Sequence, residues 1–331
     1  MTTIASENLN VTVVVTCAQR RWPLARLLKY YEFYEIDIRV LIVDQSEDRW
    51  DQLEYFPNIR YVHLPMSKIN FYEMWEEVIS KHVKTPYVCW NNDDDFTTPA
   101  YLREASSFLD LNPGYSVVSS EHLQFGNGAY GKAEWLREID APRMDDVSSR
   151  LEFYFNGLLA SPHVVVRKEV TINAARCVLR SLERPEASLA PIRFWDKIFT
   201  FFALVMGNKK TLRCVGTVRS NRGPQPEREK GTGSIMTILK NYPSILEKDV
   251  PYERILARCQ KNKLMSSFLE SNTPLSGQEA ENLIHRIFNM PLGAGRNRVL
   301  KKTRELPSNS RQGKMEIQRI EEFIRAHSLS K

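Results

Sequence analysis

Hydrophobic residues in the first 120 positions of the chain follow two alternating patterns. Continuous apolar runs rich in β-branched residues are typical of strands that are covered on both faces. Segments with apolar residues every three or four positions predict helices between these runs, and Pro23 and Pro99 each begin such a segment. The predicted strands are residues 11–17, 38–44, 58–64, 87–90 and 115–119.

Strands that alternate with helices predict right-handed βαβ units and an α/β fold with a mostly parallel sheet flanked by helices. Ligands bind such sheets beyond the carboxyl ends of the strands. Three polar stretches fall at these ends, at residues 16–21, 44–48 and 91–95. We therefore expect the three stretches to converge on one crevice.

The pattern weakens between residues 125 and 149, which we interpret as an insertion or mobile loop. Apolar alternation returns over residues 151–166. A strongly apolar helix is predicted over residues 193–207, followed by a strand at 211–218 and a Gly/Pro-rich loop at 220–234. Everything after residue 235 has helical patterns. We predict an α/β domain over residues 1–235 and a basic helical region over 236–331.

Composition narrows the class of protein. The 331 residues carry 46 Lys and Arg against 40 Asp and Glu, and this mild excess does not indicate a nucleic-acid partner. The five cysteines form no CxxC pair, which argues against a zinc site or a disulfide framework. No signal peptide and no apolar run long enough for a membrane helix are visible, so we expect a cytoplasmic protein.

The sharpest chemical signal is the run Asp93-Asp94-Asp95, which directly follows the fourth predicted strand. Buried carboxylates are unfavourable unless they are paired, protonated or bound to a metal. At a strand end they can ligate Mg²⁺ or Mn²⁺, and such an ion neutralises phosphates. The alternative is a solvated acidic loop that precedes the helix beginning at Pro99.

Two more side chains have a functional and a structural interpretation. Asp44 ends the second strand, with Ser46 close behind, and can accept hydrogen bonds from a nucleobase or ribose or else form an Asx-turn. His163 opens an apolar run and either contacts a ligand or is a satisfied structural histidine.

The segments "VTVVVTCAQR", "RVLIVDQSE" and "YVCWNNDDDFTTPAYL" together resemble glycosyltransferases of the GT-A fold, close to family 2. The likeness covers roughly the first 120 residues and extends more weakly to about residue 220. It implies that Thr16, Arg20 and Asp44 hold the nucleotide. It also implies that a D-x-D pair, Asp93 with Asp95 or Asn92 with Asp94, binds the divalent ion and the donor diphosphate. The predicted metal ligands are Asp93, Asp94 and Asp95.

The resemblance further implies a catalytic base at the start of the helix "RFWDKIFTFFALVMG", where Asp196 is the candidate and Glu183 and Glu186 are the reserves. A carboxylate in the first turn is favoured by the helix dipole, and neighbouring Phe194 and Trp195 could raise its pKa, although such residues are often only caps. The other predicted donor contacts are Ser46, Lys68 and Arg222. Arg219, Arg228 and Lys230 lie on the same Gly/Pro loop as Arg222, which could close over the diphosphate or else be a solvated basic loop.

We therefore expect a Mg²⁺- or Mn²⁺-dependent, inverting glycosyltransferase that uses a UDP-sugar and a glycan or glycolipid acceptor. The basic tail has ten Lys and Arg against four Glu over residues 291–331 and could dock on the inner face of the cell membrane, or else be a contact surface or simply solvated. The alternatives are a nucleotidyltransferase acting on sugar phosphates, which normally carries a glycine-rich loop where this chain has "TCAQRRWP", and a non-catalytic nucleotide- or glycan-binding protein.

Overall fold

The computed structural model describes residues 9–18, 20–33, 38–51, 59–69, 71–125, 133–138, 143–155, 163–181, 195–220, 264–289, 300–303 and 311–326. The strands are β1 Val11–Cys17, β2 Arg39–Asp44, β3 Ile59–His63, β4 Tyr87–Asn92, β5 Phe96–Thr97, β6 Tyr115–Phe125, β7 Ala133–Glu138, β8 Val165–Arg167, β9 Asn208–Ser220 and β10 Leu300–Thr303. The helices are α1 Arg21–Phe33, α2 Phe71–Glu77 with a following π-helical turn Val78–His82, α3 Pro99–Leu111, α4 Val147–Phe155, α5 Lys168–Ser181, α6 Trp195–Met206, α7 Gly277–Asn289 and α8 Arg311–Ala326.

These strands form one sheet in the order β10-β7-β6-β8-β4-β1-β2-β3, with β9 paired to both β6 and β5. Strands β3, β2, β1 and β4 are parallel neighbours. Strand β8 is antiparallel to β4 and to β6, so β6 runs in the same direction as β4, and β9 is parallel to β6. The predicted α/β class with a mostly parallel sheet is confirmed.

Both faces of the central strands are buried, as the continuous apolar runs predicted. Val13 and Val15 in β1 belong to one hydrophobic core, while Val14 between them belongs to the core on the opposite face. Side chains alternate between the two faces of a strand, so a strand covered on both sides needs apolar residues at every position. The five predicted N-terminal strands correspond to β1, β2, β3, β4 and β6.

Helix α3 begins where the sequence predicted, because its first turn is capped. The Thr98 hydroxyl accepts a hydrogen bond from the Tyr101 backbone N–H at 3.4 Å, and Pro99 follows at the first helical position. The Thr98 backbone N–H donates to the Gly216 carbonyl at 2.9 Å, which ties the start of the helix to β9.

The weakly patterned middle of the chain differs from the sequence prediction. Strand β7 and the start of helix α4 lie in the segment that we interpreted as a loop, and α4 continues into the run of apolar alternation that begins at Leu151. The guanidinium of Arg150 in this helix donates to the carbonyls of Leu204 and Val205 at the end of α6 at 2.9 and 3.2 Å. These tertiary contacts favour a helix in a segment whose local pattern did not predict one.

The C-terminal region is also not helical throughout, since β10 pairs antiparallel with β7. Two further C-terminal elements pack on the α/β core: Phe268, in a helical stretch over residues 264–272, lies 4.0 Å from Phe202 between ring centroids, and Phe323 in α8 lies 5.7 Å from Phe96. The division at residue 235 falls outside the described residues and stays a prediction. Within the described part of the chain, no helix is both long and apolar enough to cross a membrane.

The close approach of α3, β6 and β9 requires Gly216. A Cβ at this position would lie 2.7 Å from Tyr101 Cγ and closer still to Ser120. We expect Gly216→Ala to destabilise the protein by about 1–3 kcal/mol through overpacking, measured as a lower midpoint of thermal unfolding. Gly114→Ala is the control, because a Cβ there has nothing nearer than Arg143 Nη2 at 3.8 Å. Equal melting temperatures for the two variants would contradict this prediction.

Candidate active site at the carboxyl edge of the sheet

The polar ends of β1, β2 and β4 lie side by side, as predicted. In the register of the sheet Cys17 is opposite Asp44, and Thr16 is opposite Asn92. Neighbouring strands are about 4.8 Å apart, so the ends of β2 and β4 are separated by about 10 Å across β1. One nucleotide can span this distance.

Two of the three aspartates share one arginine. Arg20, between β1 and α1, places Nη1 2.6 Å from Asp93 Oδ1 and Nη2 2.8 Å from Asp94 Oδ2. The Arg20 side chain is 10% exposed, against 4% for Asp93 and 17% for Asp94. Arg26 on α1 adds a second positive charge by donating to the Asp94 backbone carbonyl at 3.1 Å. The guanidinium of Arg20 thus lies between two converging carboxylate oxygens.

The third aspartate is turned towards the protein interior. Asp95 Oδ2 lies 2.8 Å from Nε2 of the fully buried His163, and it accepts a hydrogen bond from the Asn92 amide at 3.1 Å. The other ring nitrogen of His163, Nδ1, is 2.9 Å from Asn91 Oδ1. His163 reaches the site because it precedes β8, which runs antiparallel to β4. The contacts favour the structural interpretation of this histidine.

Asn91 is the hub of this buried network. Its amide nitrogen donates to the Asp95 carbonyl at 2.8 Å, which assigns its oxygen to the side facing His163. The same oxygen accepts from the Thr97 hydroxyl at 3.1 Å. Phe96 packs against Tyr30 at 4.6 Å between ring centroids. The loop from β4 to β5 is therefore anchored on both sides of the acidic run.

Asp44 at the end of β2 is held by three groups. Its Oδ1 accepts from the Ser46 backbone N–H at 2.9 Å and lies 3.8 Å from Cys17 Sγ, and its Oδ2 accepts from the Tyr61 hydroxyl at 2.6 Å. The first contact is the Asx-turn that the sequence allowed. A carboxylate has about four acceptor positions, so Asp44 retains capacity for a ligand donor.

The electrostatics of the edge are dominated by buried negative charge. Burial raises the pKa of Asp93 well above its usual range, and the neighbouring Asp94 and Asp95 add to this while Arg20 opposes it. Burial likewise raises the pKa of the Cys17 thiol, with further contributions from Asp44 and Asp93. Because both carboxylates act on one thiol, the ends of β2 and β4 belong to the same electrostatic environment.

The acidic loop could hold a divalent ion between two of its carboxylates, together with phosphates of a substrate. Asp93 and Asp94 already aim one oxygen each at a single cationic group, and Mg²⁺ is commonly held by one or two carboxylates together with substrate phosphates. Across the described residues, no three His, Cys, Asp or Glu side chains form a metal cage by themselves. An ion at this edge would therefore need oxygen ligands from the substrate.

The structure describes only some of the remaining predicted residues. Thr16 is half-buried at the end of β1, and Lys68 is exposed after β3. Asp196 lies in the first turn of α6, and Phe199 one turn further on packs in the same core as Trp90 of β4. Side chains at 195–198 and 219–220 are not among those described. The residues outside the described ranges are Glu183, Glu186, Arg222, Arg228 and Lys230.

Tyr61 and Arg26 are site residues that the sequence analysis missed. Tyr61 reaches Asp44 only because β3 is parallel to β2 in a register that places Ile42 opposite Tyr61. Arg26 contacts the acidic loop from the second turn of α1 and lies 5.1 Å over the Phe96 ring. The helical spacing placed Arg26 on α1, but nothing in the local sequence indicated which loop α1 faces.

Comparison with solved structures agrees with this architecture. No protein-family model matches the chain, and no curated protein matches it in sequence. The structure is nevertheless similar to a protein with a GT-A-type fold, and the predicted GT-A fold is confirmed. That protein is S. aureus TarS, residues 1–349, solved in complex with UDP-GlcNAc, with a TM-score of 0.51 and 14% identity over 84% of this chain and 71% of that chain. A second structure of S. aureus TarS 1–349 has a TM-score of 0.44 and 14% identity over 84% of this chain and 88% of that one.

The raised pKa of Asp93 predicts a pH-dependent cost of folding. A carboxyl that binds its proton more tightly in the folded state contributes stability at low pH, and this contribution is lost as pH rises through the folded pKa. At pH 7 we expect Asp93→Asn, which mimics the protonated carboxyl, to melt higher than the wild type, by about 1–2 °C for each kcal/mol in a chain of 331 residues. The difference should shrink as the pH falls towards 4.

The matched control for this measurement is Asp145→Asn, which removes the same charge from a side chain that is 79% exposed. It should show no comparable change of melting temperature between the two pH values. An Asp93→Asn protein that melts below the wild type at pH 7 would mean that the ion pair with Arg20 outweighs the burial of the carboxylate.

Proposed function

We propose that the protein is a glycosyltransferase that moves a sugar from a nucleotide-sugar, a UDP-sugar, to a hydroxyl group of a glycan or glycolipid acceptor with inversion. The observation that carries this proposal is the juxtaposition of Asp44 and the Asp93–Asp94 pair across the end of β1. Asp44 is suited to bind a nucleoside, and the Asp93–Asp94 pair is suited to bind a cation that faces a diphosphate. The complex of S. aureus TarS with UDP-GlcNAc supports this class of donor.

The nucleoside half of the site is formed by the ends of β1 and β2. Asp44 is buried and its orientation is fixed by Tyr61 and the Ser46 backbone, so it can accept a hydrogen bond from a base or ribose without reorganising. A fixed acceptor discriminates against ligands that lack the matching donor. Thr16 lies opposite Asn92 and would border the same ligand.

The diphosphate half is formed by the acidic loop and α1. Asp93 and Asp94 would hold Mn²⁺ or Mg²⁺, an ion that supplies electrostatic stabilisation of the leaving diphosphate. Asp95 is engaged by His163 and Asn92, so we assign it to fixing the loop. Arg20 and Arg26 bring positive charge to the same place. We add Lys68 and Arg222 as donor contacts on the strength of the resemblance alone.

The acceptor would approach from the side of α6. Helix α6 leads directly into β9, which runs parallel to β6, so a helix packed along these strands has its first turn towards their carboxyl ends. Asp196 in that turn is the proposed base that takes the proton from the acceptor hydroxyl. The basic C-terminal region would hold the protein at an anionic cytoplasmic membrane surface that presents glycolipid acceptors.

Donor binding is tested with Mn²⁺ and a panel of nucleotide sugars. We expect a UDP-sugar with Mn²⁺ to raise the melting temperature and to be hydrolysed slowly without an acceptor. At a donor concentration of about 100 times its Kd, the free energy of unfolding would rise by about 2.7 kcal/mol. Asp94→Asn should lose the metal-dependent part of the shift, whereas Asp145→Asn should keep it.

The same panel separates the rival functions. Pyrophosphate-dependent turnover of a nucleotide sugar would favour a nucleotidyltransferase, and binding without any turnover would favour a non-catalytic binding protein. No response to any nucleotide, with or without metal, would overturn the proposal.

The role of Asp196 is tested by Asp196→Asn. Removing a general base lowers the rate of transfer by about 10²–10⁴-fold, and we expect the loss in kcat with an unchanged thermal shift on donor binding. Glu183→Gln and Glu186→Gln are the matched controls and should retain transfer. An Asp196→Asn enzyme with full activity, beside an inactive variant at either glutamate, would move the base to that glutamate.

A further inference from the structure

The ion pair that Arg20 makes has the geometry of a substituted metal site. Its two terminal nitrogens each take one carboxylate, at 2.6 Å from Asp93 Oδ1 and 2.8 Å from Asp94 Oδ2. Both distances are those of strong charge-assisted hydrogen bonds. The guanidinium therefore sits between the same two oxygens that the proposed function gives to a divalent ion.

This arginine also balances the charge of the site when no ligand is present. The acidic loop carries three carboxylates, of which Asp95 faces His163 and the other two face Arg20. Arg26 contributes from the side of the Asp94 carbonyl. Arg20 is the cation in direct contact with the buried carboxylate of Asp93.

A guanidinium and a divalent cation cannot both occupy the space between two carboxylate oxygens, because they repel each other and need the same lone pairs. The planar fork of Arg20 is equally suited to phosphate oxygens. A donor diphosphate therefore offers Arg20 a new partner at the moment when the carboxylates are needed for the metal.

We propose that Arg20 is a built-in substitute for the divalent ion: it holds Asp93 and Asp94 in the donor-free protein and moves to the diphosphate when metal and donor enter together. This proposal rests on the proposed function and adds how metal binding and nucleotide binding depend on each other. Metal binds weakly to the donor-free protein, and nucleotide strengthens metal binding because it draws Arg20 away. By linkage, metal strengthens nucleotide binding by the same factor.

The test measures Mn²⁺ binding by electron paramagnetic resonance, with and without UDP, and needs no catalytic turnover. In the absence of UDP we expect Arg20→Gln to bind Mn²⁺ about tenfold more tightly than the wild type, since two charge-assisted hydrogen bonds no longer compete. UDP should strengthen Mn²⁺ binding by a larger factor in the wild type than in Arg20→Gln. Arg21→Gln, which removes an exposed charge from the neighbouring position, should behave as the wild type.

Arg20→Lys is the second variant, because an ammonium keeps the charge but presents one point rather than a fork. Its Mn²⁺ affinity without UDP should lie between those of the wild type and Arg20→Gln. If wild type binds Mn²⁺ with UDP, but neither Arg20 variant gains affinity without it, the substitute role of Arg20 is wrong and the metal site stands. If no protein binds Mn²⁺ even with UDP, the metal site itself fails, and this proposal with it.

Discussion

Three adjacent carboxylates at the end of a buried strand need positive charge close by, and the rest of the site is arranged around this requirement. The structure divides the run between two partners: Arg20 contacts Asp93 and Asp94, and the ring of His163 contacts Asp95. Burying an ion without a partner costs several kcal/mol. Arg20 and His163 lie far apart in the chain, so the contacts of the loop depend on long-range packing of the α/β core.

The core meets this requirement by fixing both strands that flank the loop. Strand β4 lies between β1 and β8, and the short β5 pairs with β9. Phe96, directly after the acidic run, packs against Tyr30 of α1 and Phe323 of α8. A displacement of helix α8 would therefore be transmitted to the carboxylates through the ring of Phe96. This links the C-terminal region to the site even though it supplies no described ligand-facing side chain.

Whether a feature could be predicted from the sequence depends on how far apart along the chain its interacting residues lie. The strands and the start of α3 are set by local rules, namely β-branched runs and a Thr98-Pro99 cap, and they were predicted closely. Parallel topology then placed Asp44 beside the acidic loop. The pairing of Asp95 with His163 joins positions 68 residues apart, and neither Tyr61 nor Arg26 carries a local signal for its partner. Helix α4 and strand β10 were missed because their conformation depends on tertiary contacts.

Arg20 and His163 differ in a way that bears on how such a site can exchange ligands. His163 is fully buried and is also held by Asn91, so its contact with Asp95 is part of the framework. The Arg20 side chain is 10% exposed and its partner Asp94 is 17% exposed, at the open end of the same loop. A long side chain at the rim can swing away without unfolding its neighbours, whereas an enclosed imidazole cannot. One acidic run thus combines a fixed partner, His163, with a replaceable one, Arg20, and this would let two carboxylates change partner while the third keeps the loop in place.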